Sequence, residues 1–463
     1  KLIGKEERPD FHLTPRTGWM NDPNGFSYYK GRYHLFYQYY PYESKWGPMH
    51  WGHAVSSDLL HWEYLPCALA PDEAYDRDGI FSGSAAVLPD GRQLLMYTGV
   101  LKEHQERDIY REVQTQCMAV GDGIDYEKYE QNPVLDQRDI PEGSSRFDFR
   151  DPKMWMKADG TYACVVGNRP ADGSGQILLY ESADGFQWKF KSILVSNHDR
   201  FGKMWECPDF FELDGKWVLL TSPQDMLPEG FEYHNGNGTL CLIGDYDEEN
   251  GSFKEMQNQS VDYGIDFYAP QTFVDQQNRR ILIGWMGMPY IPYDNPTCER
   301  GWQHALTIPR VLSYHDGMLY QTPIAELNAL RGEKHCGSLT QFNEKQLLER
   351  VYECTIAIEQ EASFSIRVRN EVYMKYDVDT KRFSLHMGAD GSGRTVRSAI
   401  LPSLERITIY SDTSSLEVFI NDGAYVFTTR VYEKQAHTPL SIHGKDLRGS
   451  VVWYKMNPYQ WEI

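Results

Sequence analysis

The sequence lacks several features that mark other protein classes. No run of about 18 apolar residues occurs, so no transmembrane helix is expected. The start, Lys1-Leu2-Ile3-Gly4-Lys5, has neither an initiator Met nor the pattern of a signal peptide. The eight cysteines form no CxxC pair, so neither a zinc site nor a redox motif is implied. Their scatter fits buried thiols in a reducing cytoplasm. His50, His53 and His61 cluster in sequence but lack metal-ligand spacing, so no metal and no cofactor are expected. Basic residues are short: 46 Lys and Arg against 66 Asp and Glu give a net charge of -20. Such a chain is a poor partner for nucleic acid or an anionic membrane surface.

Aromatic residues are plentiful, at 14% of the chain with 12 Trp and 31 Tyr. Most suit the cores of β-sheets. The others suit sugar recognition, because a ring face covers the apolar face of a pyranose or furanose.

A short pattern recurs about every 63 residues: Ser57 to Trp62, Gly121 to Tyr126 and Ala183 to Trp188, with a degenerate copy at Asp247 to Phe253. Each is an acidic turn followed by an aromatic. Apolar runs keep the same step, at Tyr33 to Tyr39, Leu94 to Val100, Tyr162 to Gly167, Trp217 to Thr221 and Ile281 to Trp285. Each follows a turn signal such as Lys30-Gly31 or Asp214-Gly215. Five copies of a four-stranded unit predict an all-β, five-bladed β-propeller over residues 1-322. Pro323 to Arg331 reads as a short helix in a linker spanning 323-339. Beyond it, period-2 runs such as Ser363 to Arg369 and Ser415 to Ile420 predict a C-terminal β-sandwich over 340-463.

Three carboxylates stand in unusual settings: Asp22 in Trp19-Met20-Asn21-Asp22-Pro23-Asn24-Gly25, Asp151 in Phe149-Arg150-Asp151-Pro152, and Glu206 in Trp205-Glu206-Cys207-Pro208-Asp209. They fall in the first, third and fourth repeats, and a propeller would bring such strands to one axis. Carboxylate pairs flanking a glycosidic bond are the chemistry of sugar hydrolysis.

These motifs, with Phe81-Ser82-Gly83-Ser84 between them, resemble glycoside hydrolase family 32, which holds invertases, sucrose-6-phosphate hydrolases, levanases and inulinases. Gly47 to His53, Phe267 to Thr272 and Gly284 to Pro289 are most like the sucrose-6-phosphate hydrolase type. The resemblance covers nearly the whole chain and implies the propeller, the sandwich and a retaining β-fructofuranosidase acting on sucrose or sucrose 6-phosphate. It implies Asp22 as nucleophile, Glu206 as acid/base with a raised pKa, and Asp151 as transition-state stabiliser. It also implies sugar contacts from Trp19, Asn21, Gln38, Trp46, Phe81, Ser82, Arg150, Tyr268 and Trp285. Cys207 reads as a packed thiol, and Trp46 as an inner wall of the pocket. Two other readings remain: an exo-acting fructan hydrolase, and a sugar-binding propeller without turnover. The expected partner is a small sugar, and the expected assembly a monomer or homodimer.

Overall fold

The computed structural model describes residues 7–104, 110–433 and 437–458. Five four-stranded antiparallel units follow one another along the chain. Their first strands are Gly18–Tyr29, Gly79–Val87, Ser144–Met156, Trp205–Leu213 and Tyr268–Val274. Each first strand touches the next, and the fifth touches the first, closing a ring about an axis. These are the five blades of a propeller.

The repeat in sequence has a physical cause. Between the third and fourth strands of a blade, Asp58 Oδ1 accepts the N–H groups of Leu60 and His61. Asp122 does the same for Ile124 and Asp125, and Asp184 for Phe186 and Gln187. These are side-chain-capped turns, which an aspartate makes locally. The apolar runs are the second strand of each blade, buried between neighbouring blades. They follow tight hairpins: Lys30 and Gly31 have φ of 46° and 83°, Asp214 and Gly215 of 49° and 80°. Two successive left-handed residues make the turn that suits twisted strands.

A long excursion of the fifth blade lends a two-residue strand, Trp302–Gln303, to the sheet of the first blade, where it pairs in parallel with Gly18 and Trp19 and ties the ends of the ring together. Gly18 N–H also donates to Gly301 O, and Leu306 N–H to Leu13 O.

The linker expectation needs correction. Ala325–Leu330 forms a 3₁₀ turn, but Arg331–Ser338 is already a strand of the second domain, pairing with Arg448–Met456. This edge strand is mostly exposed and lacks apolar alternation, so no periodicity announced it. The second domain packs a six-stranded sheet on a five-stranded one around a core that includes Phe383, Val418 and Trp453.

The two domains are bolted by buried charge. His12 lies between Asp412 (Nδ1–Oδ2 2.7 Å) and Glu417 (Nε2–Oε1 2.8 Å). Arg310 joins Glu417 to Asp262, and Arg430 and Arg394 both meet Asp266. Buried ions persist only when paired in this way.

Candidate active site

The inner strands share one irregularity. Each ladder breaks at a bulge: between Met20 and Pro23, Phe81 and Gly83, Glu206 and Asp209, Tyr268 and Gln271, and in the third blade opposite Val165 and Gly167. A bulge frees a residue from the ladder and re-aims its side chain. Pro23, Pro152, Pro208 and Pro270 occupy these breaks, where no ladder N–H is needed. Asp151, Cys207 and Ala269 take left-handed φ values of 65°, 48° and 49° there. Such conformations are costly outside glycine, and they gather where a site needs them. The prolines of the sequence motifs therefore mark four of the five bulges facing one axis, the one between Phe81 and Gly83 having none. They meet with Gly83, Lys153 and Gln271 beneath the acids. Lys153 is bonded there to Asp209 at 3.1 Å, so the funnel is plugged at its base.

The three expected acids converge. Asp22 Oδ2 accepts from Ser82 Oγ at 2.7 Å, and Oδ1 from Asn21 Nδ2 at 3.1 Å. Trp19 Nε1 donates to Asn21 Oδ1 at 2.8 Å, which turns the amide so that its N–H faces Asp22. Burial pushes the Asp22 pKa up to about 6; the Ser82 bond opposes this, and the charge of Glu206 adds to it. Asp151 Oδ2 accepts the N–H of Cys207 at 3.0 Å, and its own N–H donates to Thr98 Oγ1 at 2.9 Å. Burial also raises the Asp151 pKa, with Arg150 opposing and the neighbouring carboxylates reinforcing. Cys207 Sγ lies 3.4 Å from Asp22 Oδ2 and 3.6 Å from Asp151 Oδ2, bridging the two aspartates. Burial and those carboxylates hold its thiol well above the usual range, so it stays protonated and donates.

Glu206 Oε1 accepts from Arg150 Nε at 3.0 Å and Nη2 at 2.9 Å. Arg150 Nη1 reaches Gln114 and Asp148. The observed partner of Arg150 is thus Glu206, and it serves to orient that carboxylate. Tyr268 Oη lies 2.6 Å from Glu206 Oε2 and 2.8 Å from Ser222 O.

An aromatic wall completes the pocket. Trp285 stands 6.3 Å from both Trp19 and Tyr268 between ring centroids. Gln38 Nε2 and Trp285 Nε1 are buried donors with no partner among the described residues. Buried donors are costly when unbonded, and a sugar hydroxyl would satisfy them. Phe81 faces Trp46 at 6.2 Å. Trp46 is 46% exposed, so it stands at the mouth and not on the inner wall.

Several site residues escaped sequence reasoning. Thr98, Gln114 and Ser222 lie on second or third strands, in no motif. His304 is buried between Trp19 at 4.4 Å and Trp285 at 5.1 Å. Its Nδ1 accepts from Arg430 Nη1 at 2.8 Å, so the sandwich domain reaches the pocket wall through one hydrogen bond. Among the described residues no group of His, Cys, Asp and Glu could hold a metal.

A propeller with three carboxylates at the closed end of its funnel, one gripped by an arginine, belongs to the glycoside hydrolases. The glycosyl hydrolases family 32 N-terminal domain matches residues 12–323 and the family 32 C-terminal domain residues 326–453, so the chain belongs to this family. It is 39% identical over 460 residues to a sucrose-6-phosphate hydrolase of Escherichia coli, covering 94% of this chain and 91% of that one. It is also 39% identical over 454 residues to a raffinose invertase of Escherichia coli, with the same coverage. A solved Bombyx mori GH32 beta-fructofuranosidase superposes with a TM-score of 0.86 at 36% identity, covering 99% of this chain and 95% of that one. A Lactobacillus gasseri sucrose-6-phosphate hydrolase superposes with 0.87 at 29% identity, covering 98% and 94%.

Proposed function

We propose that this enzyme is a retaining β-fructofuranosidase that releases the terminal fructosyl unit of sucrose or sucrose 6-phosphate. The observation that carries the reading is the convergence of Asp22, Asp151 and Glu206 on three bulges of one ring, with Cys207 bridging the two aspartates. A binding module has no use for two buried aspartates whose pKa values are raised.

In the first step Asp22 attacks the anomeric carbon of the fructosyl unit. The bond to the glycosidic oxygen breaks, and Glu206 gives that oxygen its proton. In the second step Glu206 takes a proton from water, the water oxygen bonds to the anomeric carbon, and Asp22 leaves. Asp151 accepts hydroxyl hydrogen bonds that strengthen as the ring gains positive charge.

Glu206 must alternate between protonated and ionised forms, and Tyr268 suits this. Its single hydroxyl proton cannot serve Glu206 Oε2 and Ser222 O together. It donates to an ionised Glu206. When Oε2 carries a proton, that proton is donated to Tyr268 and the tyrosine turns to Ser222. Both forms of the acid/base thus keep a full set of bonds.

The plugged funnel favours exo attack on short substrates. Eight free cysteines suit a reducing cytoplasm. The test is hydrolysis of sucrose, sucrose 6-phosphate, raffinose and inulin side by side. Fructose should be released from the chain end at early times. Internal oligosaccharides from inulin, or binding of sucrose without turnover, would overturn the reading.

A further inference from the structure

The second blade carries the longest central hairpin of the propeller. Its strands Gln93–His104 and Tyr110–Gly121 pair along their whole length. The inner strand beside them stops at the pair Gly79 and Val100. Residues 101–104 and 110–113 therefore continue as a two-stranded ribbon beyond the blade, on the side of the pocket mouth.

Lys102 is on this ribbon. Its ammonium lies 5.8 Å from the ring centroid of Trp46, the half-exposed indole of the mouth. Trp46 in turn faces Phe81, and the next residue, Ser82, is bonded to the nucleophile. The main-chain N–H of Lys102 donates to Asp78 Oδ2 at 2.7 Å, but its ammonium forms no ion pair within 4.0 Å among the described residues, unlike Lys45 and Lys203, which pair with Asp294 and Asp225. Glu112, directly opposite Lys102 in the ladder, shares its face without forming an ion pair. Arg111 is on the opposite face, with its guanidinium 3.2 Å from the Phe147 centroid.

We propose that Lys102 holds an anionic group, a phosphate monoester, on the leaving sugar, and that the ribbon sets the preference for a phosphorylated over a neutral aglycone. The inference rests on the β-fructofuranosidase reading and deepens it. A bare ammonium beside an apolar shelf offers three donors and one charge to a phosphate. Glu112 on the same face accepts neutral hydroxyls and disfavours extra negative charge, so the preference should be moderate and tunable.

The test compares kcat/KM on sucrose and on sucrose 6-phosphate for the full chain. Wild type should prefer the phosphorylated substrate, and added salt should reduce that preference. Lys102→Met should lower kcat/KM for sucrose 6-phosphate by roughly ten- to a hundredfold, the worth of one charge-assisted bond, and change sucrose by less than about twofold. Lys102→Arg should retain most of the preference, and Arg111→Met should leave it unchanged. Equal losses on both substrates, no loss on either, or a selective loss from Arg111→Met would overturn the assignment. A wild-type enzyme that cleaves sucrose with no advantage for the phosphate ester would overturn it too, while leaving the fructofuranosidase reading intact. Failure to cleave either substrate would overturn both.

Discussion

Removing the hydroxyl of Ser82 should move the acidic limb of the pH–rate profile. Asp22 must be ionised to attack, yet burial lifts its pKa to about 6. Among the groups that pull it back, Ser82 acts most strongly, through the 2.7 Å bond to Oδ2. A hydrogen bond to a charged group contributes about 1.5–3 kcal/mol. One pKa unit corresponds to about 1.4 kcal/mol. Ser82→Ala should therefore raise the acidic limb by roughly one to two units, from near 6 towards 7 to 8. The assay is kcat/KM on sucrose from pH 4.5 to 9, with circular dichroism confirming the fold. The limb belongs to the carboxylate cluster as a whole, because Asp151 is also raised and charged neighbours titrate together. Cys207→Ala gives an internal scale: its thiol is a weaker donor at 3.4 Å, so its shift should be smaller. A Ser82→Ala enzyme with lower activity but an unmoved limb would refute the claim that this hydroxyl holds the nucleophile's charge.

Four further outcomes follow from the same structure. Asp22→Asn should lower turnover by several orders of magnitude, and it should raise the melting temperature at pH 7, because a raised folded pKa means that ionised Asp22 destabilises the fold above its unfolded pKa; an unchanged or lower melting temperature counts against the burial argument. Glu206→Gln should slow sucrose far more than an activated aryl fructoside, and azide should rescue the second step; equal losses and no rescue would remove Glu206 as the acid/base. Arg430→Met removes the bond to His304 and should loosen Trp19 and Trp285, raising KM for every fructoside alike, whereas wild-type kinetics would show that the sandwich domain does not support the pocket wall. His12, with its pKa raised to about 9 by two carboxylates, should contribute stability that is full below pH 6.5 and lost as pH rises through 9; His12→Gln should cost about 3–5 kcal/mol at pH 7 and flatten that pH dependence in chemical denaturation.

Much of this was legible in the sequence because it is local. An aspartate that caps its own turn leaves the same mark at Asp58, Asp122 and Asp184, and the apolar second strands keep step with it. From that periodicity came the blade count and the convergence of three distant acids. The prolines beside them were visible, but their meaning, one bulge per inner strand, required the ladders. Contacts that cross domains left no trace. His304 and Arg430 are separated by 126 residues and share no motif, and their bond exists only once the sandwich docks. The edge strand Arg331–Ser338 was misplaced in the linker because an exposed edge needs no apolar alternation. Trp46 was placed on the inner wall because residue type says nothing of depth.

The central claim is that Asp22 forms a covalent bond to the sugar. Glu206→Gln, given an activated aryl β-fructoside and quenched within the burst, should accumulate that intermediate, because aglycone departure needs little acid help while hydrolysis needs the missing base. Peptide mass spectrometry should find one fructosyl group on the segment Trp19 to Gly25, attached through Asp22. Absence of any adduct during turnover, together with inverted anomeric configuration in the released fructose, would contradict the account.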